Sequence, residues 1–252
     1  MPVGINIGDS WKQVVAASIN IGDVWKPIVK GWVNIGDVWK EFYTKATKYT
    51  NTYDTYGAKT LTIPSGATDL IIECWGSGGN GGSATSSSTG FGGGGGGAYS
   101  KKTIANPTAG TYDILFETAY VSVKLSTTEI CKAQCGAVPG GTAGGAGGSA
   151  ANGIGDTKYS GGNGGNGGSG VAGGGGGEGA HAGGNGNNAS GSTGGTGTDG
   201  GDGGNGAPVS ASTTKGSNGT SPGGGGGGTY RVSTSTGGAD GAIGKVVIEY
   251  SA

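Results

Sequence analysis

Where glycine starts in this chain, more than any other feature, limits what it can fold into. Of the 66 glycines only seven precede Gly76. From Gly76 to Ala252 one residue in three is glycine, with runs at 92–97, 173–177 and 223–228 and a triplet register GGN-GGN-GGS over 161–169. That composition has two physical outcomes. One is a flexible Gly/Ser-rich linker. The other is a set of polyproline II-type rods, with three residues per turn, a rise of ~3.1 Å per residue and no hydrogen bonds inside the rod. Bare glycine rods can approach until their N–H and C=O groups pair laterally, and Cα–H···O contacts add to the pairing. Six glycines make a rod of roughly 19 Å. Ordering glycine costs more backbone entropy than ordering any other residue, so a single run stays disordered and only a packed set folds.

The matched run lengths favour rods. Residues 92–97 are followed by Ala98-Tyr99-Ser100, and residues 223–228 by Thr229-Tyr230-Arg231. Six glycines and then a tyrosine, twice, imply rods of equal length, each closed by an aromatic stop. A third, imperfect copy is 173–177 followed by Glu178-Gly179-Ala180-His181. The expectation is a polyglycine II sandwich with inner rods of nearly pure glycine. Outer rods carry Asn, Ser, Thr and Asp on the wet side, and Asn163, Asn166 and Ser169, three apart, share one side of a rod. Collagen is excluded, because this half has only Pro107, Pro139, Pro208 and Pro222 and its six-residue runs break a G-X-Y register.

The first part of the chain is a repeat. Ile5-Asn6-Ile7-Gly8-Asp9-Ser10-Trp11-Lys12 returns as Ile19-Asn20-Ile21-Gly22-Asp23-Val24-Trp25-Lys26 and as Val33-Asn34-Ile35-Gly36-Asp37-Val38-Trp39-Lys40, 14 residues apart each time. Gly-Asp between alternating segments suits a two-residue type II′ hairpin. The returning strand is expected to run on through Val14-Val15, Ile28-Val29 and Phe42-Tyr43. A 14-residue hairpin cannot bury its own face, so stacking or winding around partner chains is expected. Trp11, Trp25 and Trp39 have two readings, packing anchors of the stack or sugar-stacking platforms. Packing is favoured, since wall-binding repeats are longer and richer in Tyr.

Between the repeat and the glycine lie alternating strands at 49–53 and 59–63, a Pro64-Ser65-Gly66 turn and a buried strand over 68–75. Similar strands are expected at 111–116, 120–125 and 245–250. The first and last bracket the glycine region and fix where it begins and ends. The expected class is all-β and irregular, with essentially no α-helix. Residues 1–47 form three hairpin repeats. Residues 48–252 form a glycine-rich domain framed by strands at 48–75, 111–125 and 245–250.

Composition narrows the function. Hydrophobic residues make up 32% of the chain, so an ordinary apolar core is small. A net charge of −1 argues against nucleic-acid binding, which needs clustered positive charge. No apolar run approaches the ~20 residues of a membrane span, and the N-terminus lacks the pattern of a signal peptide. Cys74, Cys131 and Cys135 are an odd set without metal or redox spacing, so buried free thiols are expected and no metal or cofactor is. No nucleophile elbow, partnered His or paired acids point to an enzyme. GGNGG lacks the Gly-Lys-Ser/Thr ending of a phosphate loop.

Residues Thr62 to Gly76 (TIPSGATDLIIECWG), the later GGGGGGAYS and the closing Gly-Lys-Val-Val-Ile-Glu-Tyr together resemble the glycine-rich domain of bacteriophage tail-fibre and tail-tip proteins. The usual Pro-Gly-x-x-Tyr turn reads Pro107-Thr108-Ala109-Gly110-Thr111-Tyr112 here. The element usually written VGAGG is replaced around Gln134–Gly141, which leaves the strand path over 131–141 open. The (I/V)NIGDxWK repeats are similar to units found in phage tail and structural proteins. The rod architecture is similar to that of long-tail-fibre adhesins of T-even-like phages, where loops at the distal end bind the receptor, although no direct motif match to them is present.

The resemblance implies a virion protein of tail or fibre tip, made in the host cytoplasm, that binds a bacterial outer-surface protein or glycan. The repeats would then attach to other virion tail proteins or build a shaft. Candidate loops are 83–91, 150–159, 179–188 and 207–222. Phe91, Tyr99, Tyr159, His181, Tyr230 and Arg231 are the side chains there able to carry contact energy, although a tyrosine after a glycine run also reads as a rod-end cap. A homotrimer is expected, with a monomeric tip adhesin as the alternative. The competing functions are a purely structural fibre or cap and, more remotely, an ice-binding protein, for which the irregular outward set of Asn, Ser, Thr and Asp argues poorly.

Overall fold

The computed structural model describes residues 4–7, 10–13, 18–21, 24–28, 30–35, 38–44, 46–83, 88–232 and 236–252. Up to residue 45, side chains are described only at Ile28 and Trp32. The chain divides into two compact units, Met1–Tyr49 with Ser251–Ala252, and Thr50–Tyr250.

Each N-terminal repeat folds as its own antiparallel hairpin. These are β1 (Gly4–Ile7) with β2 (Ser10–Gln13), β3 (Ser18–Ile21) with β4 (Val24–Pro27), and β5 (Lys30–Ile35) with β6 (Val38–Thr44). Pairing Ile7↔Ser10, Ile21↔Val24 and Ile35↔Val38 leaves two connecting residues in every case, as Gly-Asp requires. The same register sets Asn6, Asn20 and Asn34 opposite Trp11, Trp25 and Trp39. β6 continues through Phe42-Tyr43 as expected, whereas β4 stops at Pro27, before Ile28, which lies outside any strand. Val14-Val15, the Gly-Asp turns and the packing of the three tryptophans lie outside the described residues.

The second unit contains a small β-sandwich. Its strands are β7 (Lys48–Tyr53), β8 (Lys59–Ile63), β9 (Thr68–Trp75), β10 (Thr89–Gly90), β11 (Tyr99–Ile104), β12 (Gly110–Phe116), β13 (Tyr120–Leu125), β14 (Thr128–Gln134), β15 (Thr157–Tyr159), β16 (Tyr230–Arg231) and β17 (Lys245–Ser251). One sheet has the order β15-β11-β9-β17-β7 and the other β14-β13-β12-β8, while β10 and β16 pair separately. Alternation makes the core. Leu70, Ile72 and Cys74 of β9 and Val246 and Ile248 of β17 meet Ile63, Tyr112, Ile114, Val121, Val123, Cys131 and Ala133 of the other sheet. The three cysteines are free and buried. Burial pushes the Cys74 thiol well above its ordinary value. A single 3-10 turn, Ala150–Asn152, is the only helical element among the described residues. No helix there is long and apolar enough to cross a membrane.

The glycine runs form rods held laterally. Along 92–97 every N–H donates to a different neighbour at 2.8–3.0 Å, with a period of three. Gly92 and Gly95 reach Gly141 and Ala137, Gly93 and Gly96 reach Gly165 and Gly162, and Gly94 and Gly97 reach Gly226 and Gly223. The carbonyls of the same run accept from three further segments, 76–82, 143–148 and 173–180. Six neighbours around one three-residue-per-turn rod is hexagonal packing. The runs 173–178 and 223–228 are surrounded in the same way, and all three bond to one another. A ring encloses them, made in order of segments 76–82, 134–141, 143–148, 161–167, 187–191, 193–196, 201–207, 216–220 and 239–242, each bonded to the next. The bundle is therefore three inner rods inside a closed ring, with the near-pure glycine runs inside as expected.

Glycine is required inside because the neighbour is backbone. A Cβ on Gly94 or Gly225 would overlap the carbonyl oxygen of Gly79 or Gly94 respectively. The exception on an inner rod is Glu178, which is fully buried. Its Oε2 accepts the N–H of Asn187 at 2.7 Å, and a Cβ on Gly197 would overlap its Oε1.

Asparagines have a structural task in the ring that the sequence reading missed. Asn163 and Asn166 do share one side, and their Oδ1 atoms accept the N–H groups of Gly147 and Gly144 on the next rod at 2.9 and 2.8 Å. Asn188 caps Asn163, Asn205 caps Gly194, Asn218 caps Asp240 and Asn80 caps Gly241 in the same way, at 2.7–3.0 Å. An N–H on the outer side of the ring has no further rod to bond. The amide of a neighbouring rod supplies the acceptor.

Candidate functional site

The rods give the second unit two ends. At the sandwich end, β9 runs into 76–82, 92–97 runs into β11, β14 runs into 134–141 and 239–242 leads to β17. At the opposite end, here the tip, lie the turns after residues 82, 141, 167, 207 and 229 and the one near Gly191.

The two tyrosine-terminated runs are antiparallel, since Gly94 bonds to Gly226 and Gly97 to Gly223. Identical sequence signals therefore close opposite ends. Tyr99 sits at the sandwich end, fully buried, edge-on to Trp75 at 5.0 Å and stacked on Tyr159 at 6.2 Å. Its hydroxyl donates to Glu73, and burial followed by that carboxylate pushes its pKa far above the usual phenol range. Ala180 completes this cluster, and Lys245 lies 5.0 Å over the Trp75 ring. Next to Ala180, His181 and Gly184 form a tight bridge, and the Gly183 N–H donates to His181 Nδ1 at 3.2 Å.

Tyr230 and Phe91 are at the tip, only 5% and 4% exposed. Both lie at inner-rod ends, where Phe91 bonds through its N–H to Thr229 and through its carbonyl to Gly174. The tip loops are tied to each other. Thr89 pairs with Arg231 and Gly90 with Tyr230, while bridges join Thr89 to Ser169 and Thr214 to Tyr230. The rung from Gly173 to Ala207 is followed at the tip by two turns, one in which the Val171 N–H donates to Gly168 at 3.2 Å and one that begins with Pro208 and Val209. These valines are 53% and 56% exposed.

The six residues singled out in the sequence thus do not form one site. Phe91, Tyr230 and Arg231 are at the tip, whereas Tyr99, Tyr159 and His181 are at the sandwich end. Phe91, Tyr99 and Tyr230 are buried, and the two tyrosines lie at rod ends. Of the four loops, 83–91 and the first half of 207–222 lie at the tip, while 150–159 and 179–188 lie at the other end. Residues 84–87 of the first loop lie outside the described residues. Val171 and Val209 escaped notice because a lone valine in glycine carries no motif. Only the rung between Gly173 and Ala207 brings their two turns to the same end of the bundle. Among the described residues no group of three or more His, Cys, Asp or Glu side chains is placed to hold a metal ion.

Residues 51–116 match the family of the glycine-rich domain. In this chain the glycine-rich domain match covers the end of β7, β8, β9, β10, the first inner rod, β11 and all of β12. It thus includes frame strands and one rod that the frame positions. No curated protein matches the chain.

Proposed function

We propose that the protein is a phage tail-fibre or tail-tip adhesin that contacts the bacterial surface through its tip loops. The observation that carries this reading is the tip itself, where loops cross-tied by short β-bridges end a backbone-held bundle and leave Val171 and Val209 exposed. Loops on a rigid support lose little freedom on binding, which favours recognition. Exposed aliphatic side chains at such a place are a ready contact surface. The hairpin repeats of the first unit are suited to joining other virion proteins or forming a shaft, and a homotrimer fits that role.

The test is adsorption of purified protein to whole cells across a bacterial panel. The double variant Val171→Asp, Val209→Asp should keep the wild-type thermal midpoint and lose binding to the host that wild type labels. Unchanged labelling by that variant would remove the tip from the mechanism. A wild-type protein that labels no cell would favour the second reading, a virion fibre or cap without its own receptor.

A further inference from the structure

Seven asparagines of the chain are followed directly by glycine. This pairing is the one most prone to spontaneous deamidation, because no side chain shields the next backbone nitrogen. The glycine nitrogen attacks the asparagine Cγ and gives up its proton, and Nδ2 leaves as ammonia. Water then opens the succinimide ring to aspartate or isoaspartate. Six of the seven, Asn80, Asn163, Asn166, Asn185, Asn205 and Asn218, sit in or beside ring segments of the bundle. The seventh, Asn152, ends the 3-10 turn. All seven are exposed, so access of water does not distinguish them.

Hydrogen bonding does distinguish them. In each of the six, Oδ1 accepts a backbone N–H of a neighbouring segment at 2.8–3.0 Å, which fixes the side chain. The N–H of the glycine that follows donates to a carbonyl of a neighbouring segment at 2.7–3.0 Å, as Gly167 does to Thr142 and Gly206 to Ser192. Ring closure breaks both bonds. The Cγ must leave its cap, and a succinimide nitrogen has no hydrogen left for the rung. Isoaspartate, moreover, adds a main-chain atom and displaces the three-residue register of the rod. Asn152 stands outside this lattice. The Gly153 N–H closes only the local turn, onto Ala150 at 3.1 Å. Among the described residues Asn152 Oδ1 caps no backbone N–H, and Nδ2 donates to Gln134 Oε1 at 2.9 Å. We infer that Asn152-Gly153 is the deamidation site of the folded protein, and that the rod lattice keeps the other six asparagines intact.

Fragmentation mass spectrometry of the full chain aged in mildly alkaline buffer tests this, with a guanidinium-unfolded sample as reference. In the reference all seven sites should convert at similar rates. In the folded sample Asn152 should convert first. Each of the six lattice asparagines should convert at least about tenfold more slowly than in the reference, because every conversion there breaks two lattice hydrogen bonds. Asn152→Gln should leave the folded chain almost unconverted over the same period. The assignment is overturned if any lattice asparagine of the folded chain converts as fast as Asn152, or if folding slows Asn152 as much as it slows the six. None of these outcomes depends on whether the tip binds a cell.

Discussion

The sandwich and the glycine bundle, joined strand to rod, are held by opposite means. In the sandwich, side chains from two sheets bury one another, and Ile72, Val123 and Ile248 lose all exposure. The backbone there serves as the frame. In the bundle there is almost nothing but backbone, and each inner rod bonds to six others. A small hydrophobic content is enough for this fold because a large part of it has no need of a hydrophobic core. The two regions also respond differently to change. A side-chain core can lose a group and relax around the cavity, whereas a backbone lattice has no spare volume to give.

The largest test of that contrast is the smallest chemical change. Gly225→Ala adds one methyl where the neighbour is the Gly94 carbonyl, and it should prevent the bundle from closing, a loss beyond about 5 kcal/mol seen as failure to fold in thermal denaturation. Ile72→Ala in the sandwich core should cost about 2–5 kcal/mol, read as a shifted denaturant midpoint with the slope retained.

Alkaline pH separates the regions next. Burial raises the pKa of Tyr99, Tyr112 and Cys74, all of them in sandwich strands. The folded state keeps protons that the unfolded chain releases at about pH 8.5–10. That stability is fully present below this range and falls as pH rises through it. Denaturant midpoints measured between pH 7 and 11 should decline, and Tyr99→Phe should shallow the decline at its upper end.

A ring cap should matter less. Asn205→Ala strips the acceptor from the Gly194 N–H and should cost about 1 kcal/mol by chemical denaturation, while Asn205→Asp keeps the acceptor and most of the stability. Gly237→Ala should do least. A Cβ there meets nothing within 4 Å, so a change within about 0.5 kcal/mol is expected. A large effect at Gly237 or a small one at Gly225 would contradict the lattice account.

Several elements were legible in the chain. Strands over 59–63, 68–75 and 120–125 match their observed bounds, because alternation against turn residues is a local signal. The hairpin register follows from Gly-Asp. β11 and β14 were missed. Tyr99 read as a stop at the end of a rod, although the strand begins there. Thr128–Gln134 has weak alternation and runs directly into glycine, so its path looked open. The candidate site was less legible than the fold. Aromatic residues were chosen as contacts, yet in a bundle without side chains they are the natural plugs for rod ends, and three of the six are buried.

By itself, the sequence determined that rods form, how long they are and which are inner. Apart from Glu178 at the end of 173–178, a side chain on an inner rod would collide with backbone, and the nearly pure runs avoid that collision. The tertiary structure alone decided which rods are neighbours and which way each runs. Glycine offers no side chain to encode a partner, so order around the ring rests on connectivity and lateral hydrogen bonds. That order sent Tyr99 and Tyr230 to opposite ends, turned the asparagines into caps for the next rod, and brought the turns of Val171 and Val209 to the tip.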